Sequence, residues 1–324
     1  MRVMETEISE IGIGPRNKIC EKFETNLFKK AVLTEASLLQ GARKFLEENK
    51  FVEVVVPHLV SATGSCEVIE TLFEVPYFDR TAFLTQTAQL YLEAVVPFLG
   101  GKVWTFGPSF RAESRVDNRH LTEFSLLELE FEGDFQLLLN TIEEMFVRMI
   151  FEANRELAEN MKIPFRRMSY SEAIGRLGLA FGMDIQSSDE QKLLEQNKNQ
   201  PMFLTHFPKE LKYFNMREND SNSKLVNSAD FIVPHGGECA GAAEREYNPA
   251  RLLQRLQESA MFINYKAKGG NPHAFDWYIN SYFKHNYSLH SGFGMGLNRV
   301  TKYVLQLEDI RDSTAYPVNK ELLY

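Results

Sequence analysis

A charged and aromatic stretch in the first half of the chain has the residue types needed to bind a polyphosphate. It reads FRAESRVDNRHLTEF, in which Arg111 stands at a predicted strand end, Arg115, Arg119 and His120 lie in a loop, and Phe124 opens the returning strand. Arginine binds phosphate or carboxylate oxygens in a bidentate manner, and an aromatic ring can stack on a nucleobase. The pattern therefore allows a nucleotide site, although a charged hairpin loop taken alone is more often simply solvated.

Two carboxylates flank a predicted turn in the segment DFIVPHGGECAGAAERE. Asp230 and Glu238 lie on its two sides, and small residues follow Glu238. Carboxylate oxygens suit Mg²⁺, a hard cation that keeps phosphates among its ligands, and small residues let a ligand lie against the backbone. The segment is a candidate metal site, and a tight turn with ordinary surface acids is the alternative.

A glycine-rich segment near the end of the sequence, HSGFGMGLNR, predicts a strand that runs into a helix. Its glycines allow close approach of the backbone, and Arg299 stands at the start of the helical run. The spacing is neither GxGxxG in a βαβ unit nor GxxxxGK[ST], so a dinucleotide-binding fold and a P-loop are poor explanations. A glycine-bent strand packed against a helix is the structural alternative.

The elements that must position these residues follow from the spacing of apolar side chains. Apolar residues recur at helical spacing from Lys29 to Lys50, and the β-branched run that follows ends at Pro57, which predicts a helix and then a strand. From 124 to 132 apolar residues alternate with glutamate, so the carboxylates of Glu128, Glu130 and Glu132 share one face of a strand. That face is either solvated or lines a site.

Further helices are predicted over 136–160 and 248–268, with a polar surface helix or insertion around 185–200. Residues 1–25 are polar and are interpreted as an N-terminal arm. Strands are interspersed with helices without regular βαβ alternation, which predicts an α+β fold with an antiparallel sheet.

Composition narrows the range of functions. The chain carries 36 Lys and Arg against 44 Asp and Glu, a net charge of −8, which excludes a uniformly basic nucleic-acid coat but allows a local basic groove. The cysteines Cys20, Cys66 and Cys239 lack CxxC spacing, so neither a disulfide framework nor a structural zinc site is expected. No segment approaches the roughly 18 apolar residues that span a bilayer, and the polar N-terminus is unlike a signal peptide. We therefore expect a cytoplasmic protein that is not bound to a membrane.

In this order the segments resemble the catalytic core of class II aminoacyl-tRNA synthetases, in the aspartyl/asparaginyl branch and more closely its asparaginyl members. Lys29–Pro57 matches the first family motif, FRAESRVDNRHLTEF the second and GFGMGLNR the third, while AFLTQTAQLYLEA and DFIVPHGGECAGAAERE match substrate and metal segments of the branch. The resemblance runs from about residue 25 to 318. It implies an antiparallel sheet flanked by helices, a catalytic domain over 26–324, and a homodimer formed through Lys29–Pro57.

The resemblance also implies how ATP and Mg²⁺ are bound. Arg111 would bind the substrate carboxylate and the α-phosphate, Phe124 would stack on adenine, and Glu113 would face the adenine amino group. The resemblance implies that His120 and Arg299 bind the outer phosphates. It implies that Asp230 and Glu238 bind Mg²⁺. The implied reaction is AMP-forming adenylation of an amino acid, for which positioning and charge neutralisation supply most of the catalysis.

Selection of the amino-acid side chain is likewise implied by resemblance. Arg245 corresponds to the arginine that meets the β-carboxylate or amide oxygen of the substrate. Aspartate-specific members carry a lysine three residues after the glutamine of QLYK, where this chain has Leu92, with Glu93 beside it as in asparaginyl members. A carboxylate next to Arg245 accepts an amide N–H and repels a second carboxylate, which favours asparagine. Gln89 and Glu67 would hold the α-ammonium.

The chain departs from the family pattern in ways that bear on the choice of amino acid and acceptor. The acidic residue usual before the third-motif arginine is Asn298 here, the covering loop EVIE lacks the usual Glu-Gly-Gly, and NSYFKH replaces a segment usually rich in Asp and Arg. A short arm also stands where members of this branch carry an anticodon-binding β-barrel. We therefore expect an acceptor other than a full tRNA.

The preferred hypothesis is ATP-dependent activation of asparagine without anticodon recognition. The sequence leaves open an asparagine synthetase that adenylates aspartate and lets ammonia attack, a core that charges tRNA through acceptor-stem contacts only, and a non-catalytic regulatory paralogue. Leu92 and Glu93 argue against the first of these. The complete set of predicted ATP ligands argues against the last.

Overall fold

Strands and helices alternate along the part of the chain that the computed structural model describes, residues 21–62 and 71–323. The strands are β1 (Val52–Glu53), β2 (Leu59–Val60), β3 (Glu74–Tyr77), β4 (Arg80–Leu84), β5 (Lys102–Phe110), β6 (Glu123–Glu132), β7 (Arg166–Ser169), β8 (Met202–Thr205), β9 (Glu218–Asn219), β10 (Asn222–Val226), β11 (Ser228–Val233), β12 (Gly237–Glu244) and β13 (His290–Gly296). The α-helices are α1 (Asn26–Glu48), α2 (Gln89–Val95), α3 (Phe135–Ala153), α4 (Arg155–Glu159), α5 (Tyr170–Leu177), α6 (Ser187–Gln196), α7 (Pro249–Glu258), α8 (Ala260–Ala267), α9 (Asp276–Lys284) and α10 (Leu297–Leu305).

The central sheet has the strand order β1-β5-β6-β13-β12-β11-β8-β7 among these described residues. Every neighbouring pair from β5 to β8 is antiparallel, whereas β1 with β5 and β7 with β8 are parallel. The predicted α+β fold with an antiparallel sheet is therefore confirmed, with parallel pairs added at both edges. The topology places the charged hairpin, the glycine-rich strand and the metal segment on adjacent strands.

The first predicted unit is a long helix that leads into the edge of the sheet. The predicted helix corresponds to α1, and the Thr25 hydroxyl caps it by accepting the Phe28 backbone N–H at 3.1 Å. The predicted strand over 51–57 is shorter, since only Val52 and Glu53 pair with β5. Beyond them Val55 is 96% exposed. The run is β-branched, but it lies at an edge where no further strand pairs with it.

Two helices predicted as continuous are each interrupted by a capping residue. Asn154 adopts an extended conformation between α3 and α4, and its side chain accepts the Leu157 backbone N–H at 3.0 Å. Ser259 does the same between α7 and α8, where it accepts from Phe262 at 3.2 Å. Local side-chain hydrogen bonds thus end one helix and begin the next. None of the helices in residues 21–62 and 71–323 is long and apolar enough to cross a membrane.

The main core lies between the central sheet and the helices α1, α3 and α10. Leu38 of α1, Phe146 of α3, Phe231 of β11 and Phe293 of β13 are fully buried in it. The rings of Phe146 and Phe231 meet edge to face with centroids 4.9 Å apart. Each buried phenylalanine contributes on the order of 2–3 kcal/mol through lost apolar surface. This core holds the strands rigidly beneath the site.

Candidate active site

A cavity of about 370 Å³ lies between the β5–β6 hairpin and the strands β12 and β13. It brings together most of the residues predicted as site residues, although they are far apart in the sequence. Those that line it are Gln89, Arg111, Glu113, His120, Phe124, Asp230, Glu238, Arg245 and Arg299. Glu93 is not among the lining residues. Glu67 lies outside the described residues.

The hairpin side of the cavity combines a guanidinium group with an aromatic ring. Arg111 directly follows β5, and its backbone N–H donates to the Thr122 carbonyl oxygen at 2.9 Å, which extends the pairing of the hairpin beyond the strands. Its Cζ lies 5.3 Å from the centroid of the Phe124 ring, within the range of a cation–π contact. A flat heterocycle and a phosphate oxygen are the groups that such a pair can bind.

Asp117 fixes the loop that carries Arg119 and His120. Its Oδ1 accepts the backbone N–H groups of Arg119 at 2.8 Å and His120 at 3.0 Å, and its Oδ2 lies 2.8 Å from His120 Nδ1. Burial opposes ionisation of Asp117, but these hydrogen bonds outweigh it and lower the pKa of the carboxyl group. Arg119 Nη2 in turn donates to Glu190 of α6 at 3.0 Å. The loop therefore presents an imidazole and a guanidinium group in fixed positions.

Carboxylates of β11 and β12 form the anionic side of the cavity. Asp230 accepts from Lys212 Nζ at 2.6 and 2.8 Å, and Arg299 Nη1 donates to the backbone carbonyl oxygen of Glu238. Burial raises the pKa of Asp230 to about 7, and the nearby carboxylates of Glu238 and Glu190 raise it further against the opposing effect of Lys212. The crowding of acids at this side favours a bound cation.

Asp230 and Glu238 both line the cavity, and their carboxylates are of the chemical type that binds Mg²⁺. The described residues contain no group of three or more His, Cys, Asp or Glu side chains placed to hold a metal ion. Mg²⁺ at nucleotide sites is nevertheless usually held by one or two carboxylates together with phosphates and water. A Cβ added at Gly241 would lie 3.3 Å from Glu238 Oε1, so the glycine leaves room beside that carboxylate.

Arg245 forms the other end of the cavity and is only 1% exposed. Its Nη2 donates to Glu130 Oε1 at 2.6 Å, and its Nε lies 3.7 Å from Glu93 Oε1. In the amide orientation that satisfies both of its polar atoms, Gln89 accepts from Arg245 Nη2 at 3.0 Å and from the Gly294 backbone N–H at 3.3 Å. A ligand at this end therefore meets a guanidinium group that is held in place on several sides.

Glu93 lies next to Arg245 on the side away from the cavity. It is completely buried on α2 and accepts hydrogen bonds from Asn215 Nδ2 and from the Tyr278 hydroxyl, both at 2.6 Å. Burial alone would raise its pKa, but the Arg245 guanidinium and the His290 ring lower it below the usual range. Glu93 is therefore the ionised counter-ion of Arg245.

The alternating glutamates of β6 form a buried acidic face and not a solvated one. Glu128 and Glu130 are buried, whereas Glu132 is exposed. Burial raises the pKa of Glu128 to about 7 and that of Glu130 to about 8. Gly292 pairs with Glu130, and a Cβ added there would overlap the Glu130 carboxyl group. At this position the glycine-rich strand makes room for a buried acid.

Two residues beside the cavity are missed by sequence reasoning. Lys212, which binds Asp230, stands in no recognisable motif. Glu190 belongs to the polar helix predicted around 185–200, which corresponds to α6, and composition alone places it on the surface. The available signal is that Leu193 and Leu194 follow it at the spacing of one helix face. That face is buried, and Glu190 with it.

Comparison with known sequences assigns the family. The chain matches the family described as tRNA synthetases class II (D, K and N) over residues 16–320. The asparagine–tRNA ligase of Thermococcus gammatolerans is 37% identical over 310 residues, which cover 90% of this chain and 69% of that protein. The aspartate–tRNA(Asp) ligase of Thermoplasma volcanium is 34% identical over 299 residues, which cover 87% of this chain and 67% of that protein.

Solved structures share the fold. The asparaginyl-tRNA synthetase of Pyrococcus horikoshii complexed with asparaginyl-adenylate is similar with a TM-score of 0.84 and 31% identity, over 96% of this chain and 74% of that chain. That of Entamoeba histolytica, also in complex with asparaginyl-adenylate, has a TM-score of 0.82 and 28% identity over 96% of this chain and 73% of that chain. By its sequence and its fold, this chain belongs to the class II tRNA synthetases of the D, K and N group, a family of ATP-dependent ligases.

Proposed function

We propose that this chain activates asparagine with ATP, giving asparaginyl-adenylate and pyrophosphate. The observation that carries the proposal is a single cavity with the Arg111–Phe124 pair on one side and Arg245 with its counter-ion at the other. The similarity to an asparagine–tRNA ligase and to two structures that hold asparaginyl-adenylate supports it.

The proposed reaction is an in-line displacement at the α-phosphorus. The α-carboxylate oxygen of the amino acid attacks, a new O–P bond forms, and the bond to the β-phosphate oxygen breaks to release pyrophosphate. Arg111 lies beside the ring on which adenine stacks, so it neutralises the charge that develops on the α-phosphate. The groups assigned to the adenine amino group and the outer phosphates are Glu113, His120 and Arg299. Asp230 and Glu238 would hold Mg²⁺, which neutralises phosphate charge when bound.

The surroundings of Arg245 favour a neutral substrate side chain. The carboxyl groups of Glu93 and Glu130 already lie beside it, so a substrate carboxylate would be buried without a counter-ion of its own, at a cost of several kcal/mol. The amide oxygen of asparagine accepts a hydrogen bond from the guanidinium group without adding charge. We assign Gln89 and Glu67 to the α-ammonium group.

Activation as proposed involves no anticodon contact, because the groups assigned to it belong to the catalytic region itself. The acceptor of the activated amino acid is addressed by a separate measurement. Release of AMP that requires both asparagine and added tRNA would identify tRNA as the acceptor. AMP release that requires asparagine and a small amine or ammonium, but no tRNA, would identify the amine as the acceptor.

Exchange of labelled pyrophosphate into ATP tests the activation step. We expect exchange with asparagine and none with aspartate, and a loss of at least about 100-fold in the Arg111→Ala variant. Arg155→Ala is the matched control, since Arg155 is an exposed arginine whose ion pair lies within α4. Exchange with aspartate alone, with asparagine formed when ammonium is added, would assign an asparagine synthetase. No exchange with either amino acid would overturn the proposal.

We also infer a homodimer formed through Lys29–Pro57. Leu33 on α1 is 57% exposed and Val55 beyond β1 is 96% exposed, so this segment presents apolar side chains to solvent. β1 pairs with β5 on one side and lies at the edge of the sheet. An open edge beside an apolar surface favours association with a second chain.

A further inference from the structure

Asn298 occupies a junction between three elements. It is the second residue of α10 and is only 4% exposed. Its Nδ2 donates to Glu35 Oε1 of α1 at 2.9 Å, and its Oδ1 accepts the backbone N–H of Ser125 on β6 at 3.2 Å. One amide group therefore ties α10 both to the long helix and to the strand of the hairpin.

The residues next to this junction are the ones assigned to ATP. Ser125 directly follows Phe124, whose ring forms one wall of the cavity, and Arg299 directly follows Asn298. The Arg299 side chain is itself held by the Glu238 carbonyl oxygen. A shift at Asn298 would therefore move the aromatic wall and the Arg299 guanidinium relative to each other.

The side chains of Asn298 and Glu35 form a hydrogen bond that needs a donor at one position and an acceptor at the other. The Glu35 carboxyl group lies largely out of solvent, and its one side-chain hydrogen bond among the described residues comes from Asn298. Above pH 7, where Glu35 is ionised, a carboxylate at position 298 would face Glu35 with no hydrogen between the two acceptors. An amide is the group of this size that can donate to Glu35 and still accept from Ser125.

We propose that Asn298 is a positioning residue of the adenylation site, and that its hydrogen bond to Glu35 fixes the spacing of Phe124 and Arg299 around ATP. The inference rests on the proposed function, since it takes ATP to be the ligand between these two groups. Asn298 also lines the cavity, but both polar atoms of its amide are engaged by Glu35 and Ser125, so it acts through its neighbours. The expected signature is a change in ATP binding with little change in asparagine binding.

Variants that swap the amide of Asn298 and the carboxyl group of Glu35 between the two positions provide the test. At about pH 8.5, where both carboxyl groups are ionised, Asn298→Asp leaves two acceptors facing each other, and we expect the KM for ATP and the calorimetric dissociation constant of ATP to rise about tenfold. Glu35→Gln retains an oxygen that accepts from Asn298, and we expect ATP binding within about twofold of wild type. The double variant Glu35→Gln/Asn298→Asp restores a donor opposite an acceptor with the roles reversed, so ATP binding should recover to within about twofold.

Each outcome of this experiment bears on the inference. Recovery in the double variant, with the KM for asparagine unchanged throughout, supports it. Wild-type ATP affinity in Asn298→Asp, or a double variant no better than that single variant, overturns it. If Asn298→Asp does not fold, Asn298→Ala replaces it, because the loss of both hydrogen bonds should weaken ATP binding as well. ATP binding is measured directly, so a wild-type chain that binds ATP but does not exchange pyrophosphate would overturn the proposed function alone.

Discussion

At the scale of single residues, the pair of Arg245 and Glu93 decides which side chain the cavity accepts. Glu93 is buried and ionised, and it lies 3.7 Å from the Arg245 Nε. We expect Glu93→Gln to leave Glu130 as the remaining carboxylate beside the guanidinium group, so that a substrate carboxylate is repelled less than in wild type. The ratio of kcat/KM for asparagine to that for aspartate in pyrophosphate exchange should then fall at least about tenfold.

The control for this variant is Glu132→Gln on β6, which removes an exposed carboxylate. Its selectivity should match that of wild type. Thermal unfolding of Glu93→Gln has to be followed in parallel, since removal of one partner of a buried ion pair destabilises a fold by about 3–5 kcal/mol. A folded Glu93→Gln variant with wild-type selectivity would contradict the role that we assign to Glu93.

Some residues of the site can be predicted from the sequence and others cannot. Arg111, Phe124, Asp230, Glu238 and Arg299 are found from their types and spacing, because charged clusters and glycine-rich runs are visible in one dimension. The position of Glu93 next to Arg245 but outside the cavity is not visible in this way, because it follows from the packing of α2 against the sheet. Lys212 is missed for the same reason, since only the fold brings it to Asp230.

At the scale of elements, α1 meets α10 through a buried carboxyl group. Burial raises the pKa of Glu35 from 4.5 to about 7, against a smaller opposing effect of Lys22. A folded-state pKa above the unfolded one contributes stability that is fully present below about pH 4.5 and is lost as the pH rises through about 7, above which the difference is constant. We expect Glu35→Gln, which cannot ionise, to gain about 2–3 kcal/mol in free energy of unfolding relative to wild type between pH 5 and pH 8.

Urea unfolding of both chains at each pH measures this difference. The exposed carboxylate of Glu132 provides the control again, because Glu132→Gln should show no pH-dependent gain. Parallel stability profiles of wild type and Glu35→Gln would show that Glu35 keeps an ordinary carboxyl pKa in the folded chain.

Elements were predictable where their pattern is long and regular. The helix α1 and the strand β6 follow from apolar periodicity over many residues, and both are present. The breaks at Asn154 and Ser259 were not predicted, because a single capping side chain outweighs a continuous apolar pattern. The short β1 shows that β-branched residues do not make a strand without a partner to pair with.

At the scale of the whole molecule, the order of strands explains how distant motifs form one site. The strand that follows the second family motif, β6, pairs with β13 of the third motif, and the metal segment follows as β12 and β11. Among the described residues, the first motif contributes none to the lining of the cavity, since its helix α1 packs in the main core and its strand β1 lies at the sheet edge. Apart from the hydrogen bond that Glu35 accepts from Asn298, its contribution is therefore expected at a surface.

The dimer that we infer at this edge gives the prediction for the whole molecule. Val55→Asp adds a charge to a side chain that is 96% exposed, so it should leave the fold of the single chain intact and weaken an apolar interface. We expect wild type to sediment as a dimer at micromolar concentration and the variant as a monomer with an unchanged thermal unfolding profile. Phe78→Asp is the control, because Phe78 is 91% exposed on the turn between β3 and β4, outside Lys29–Pro57, and should leave the dimer unaffected. A wild-type monomer, or a Val55→Asp variant that remains dimeric, would contradict a dimer interface at this edge.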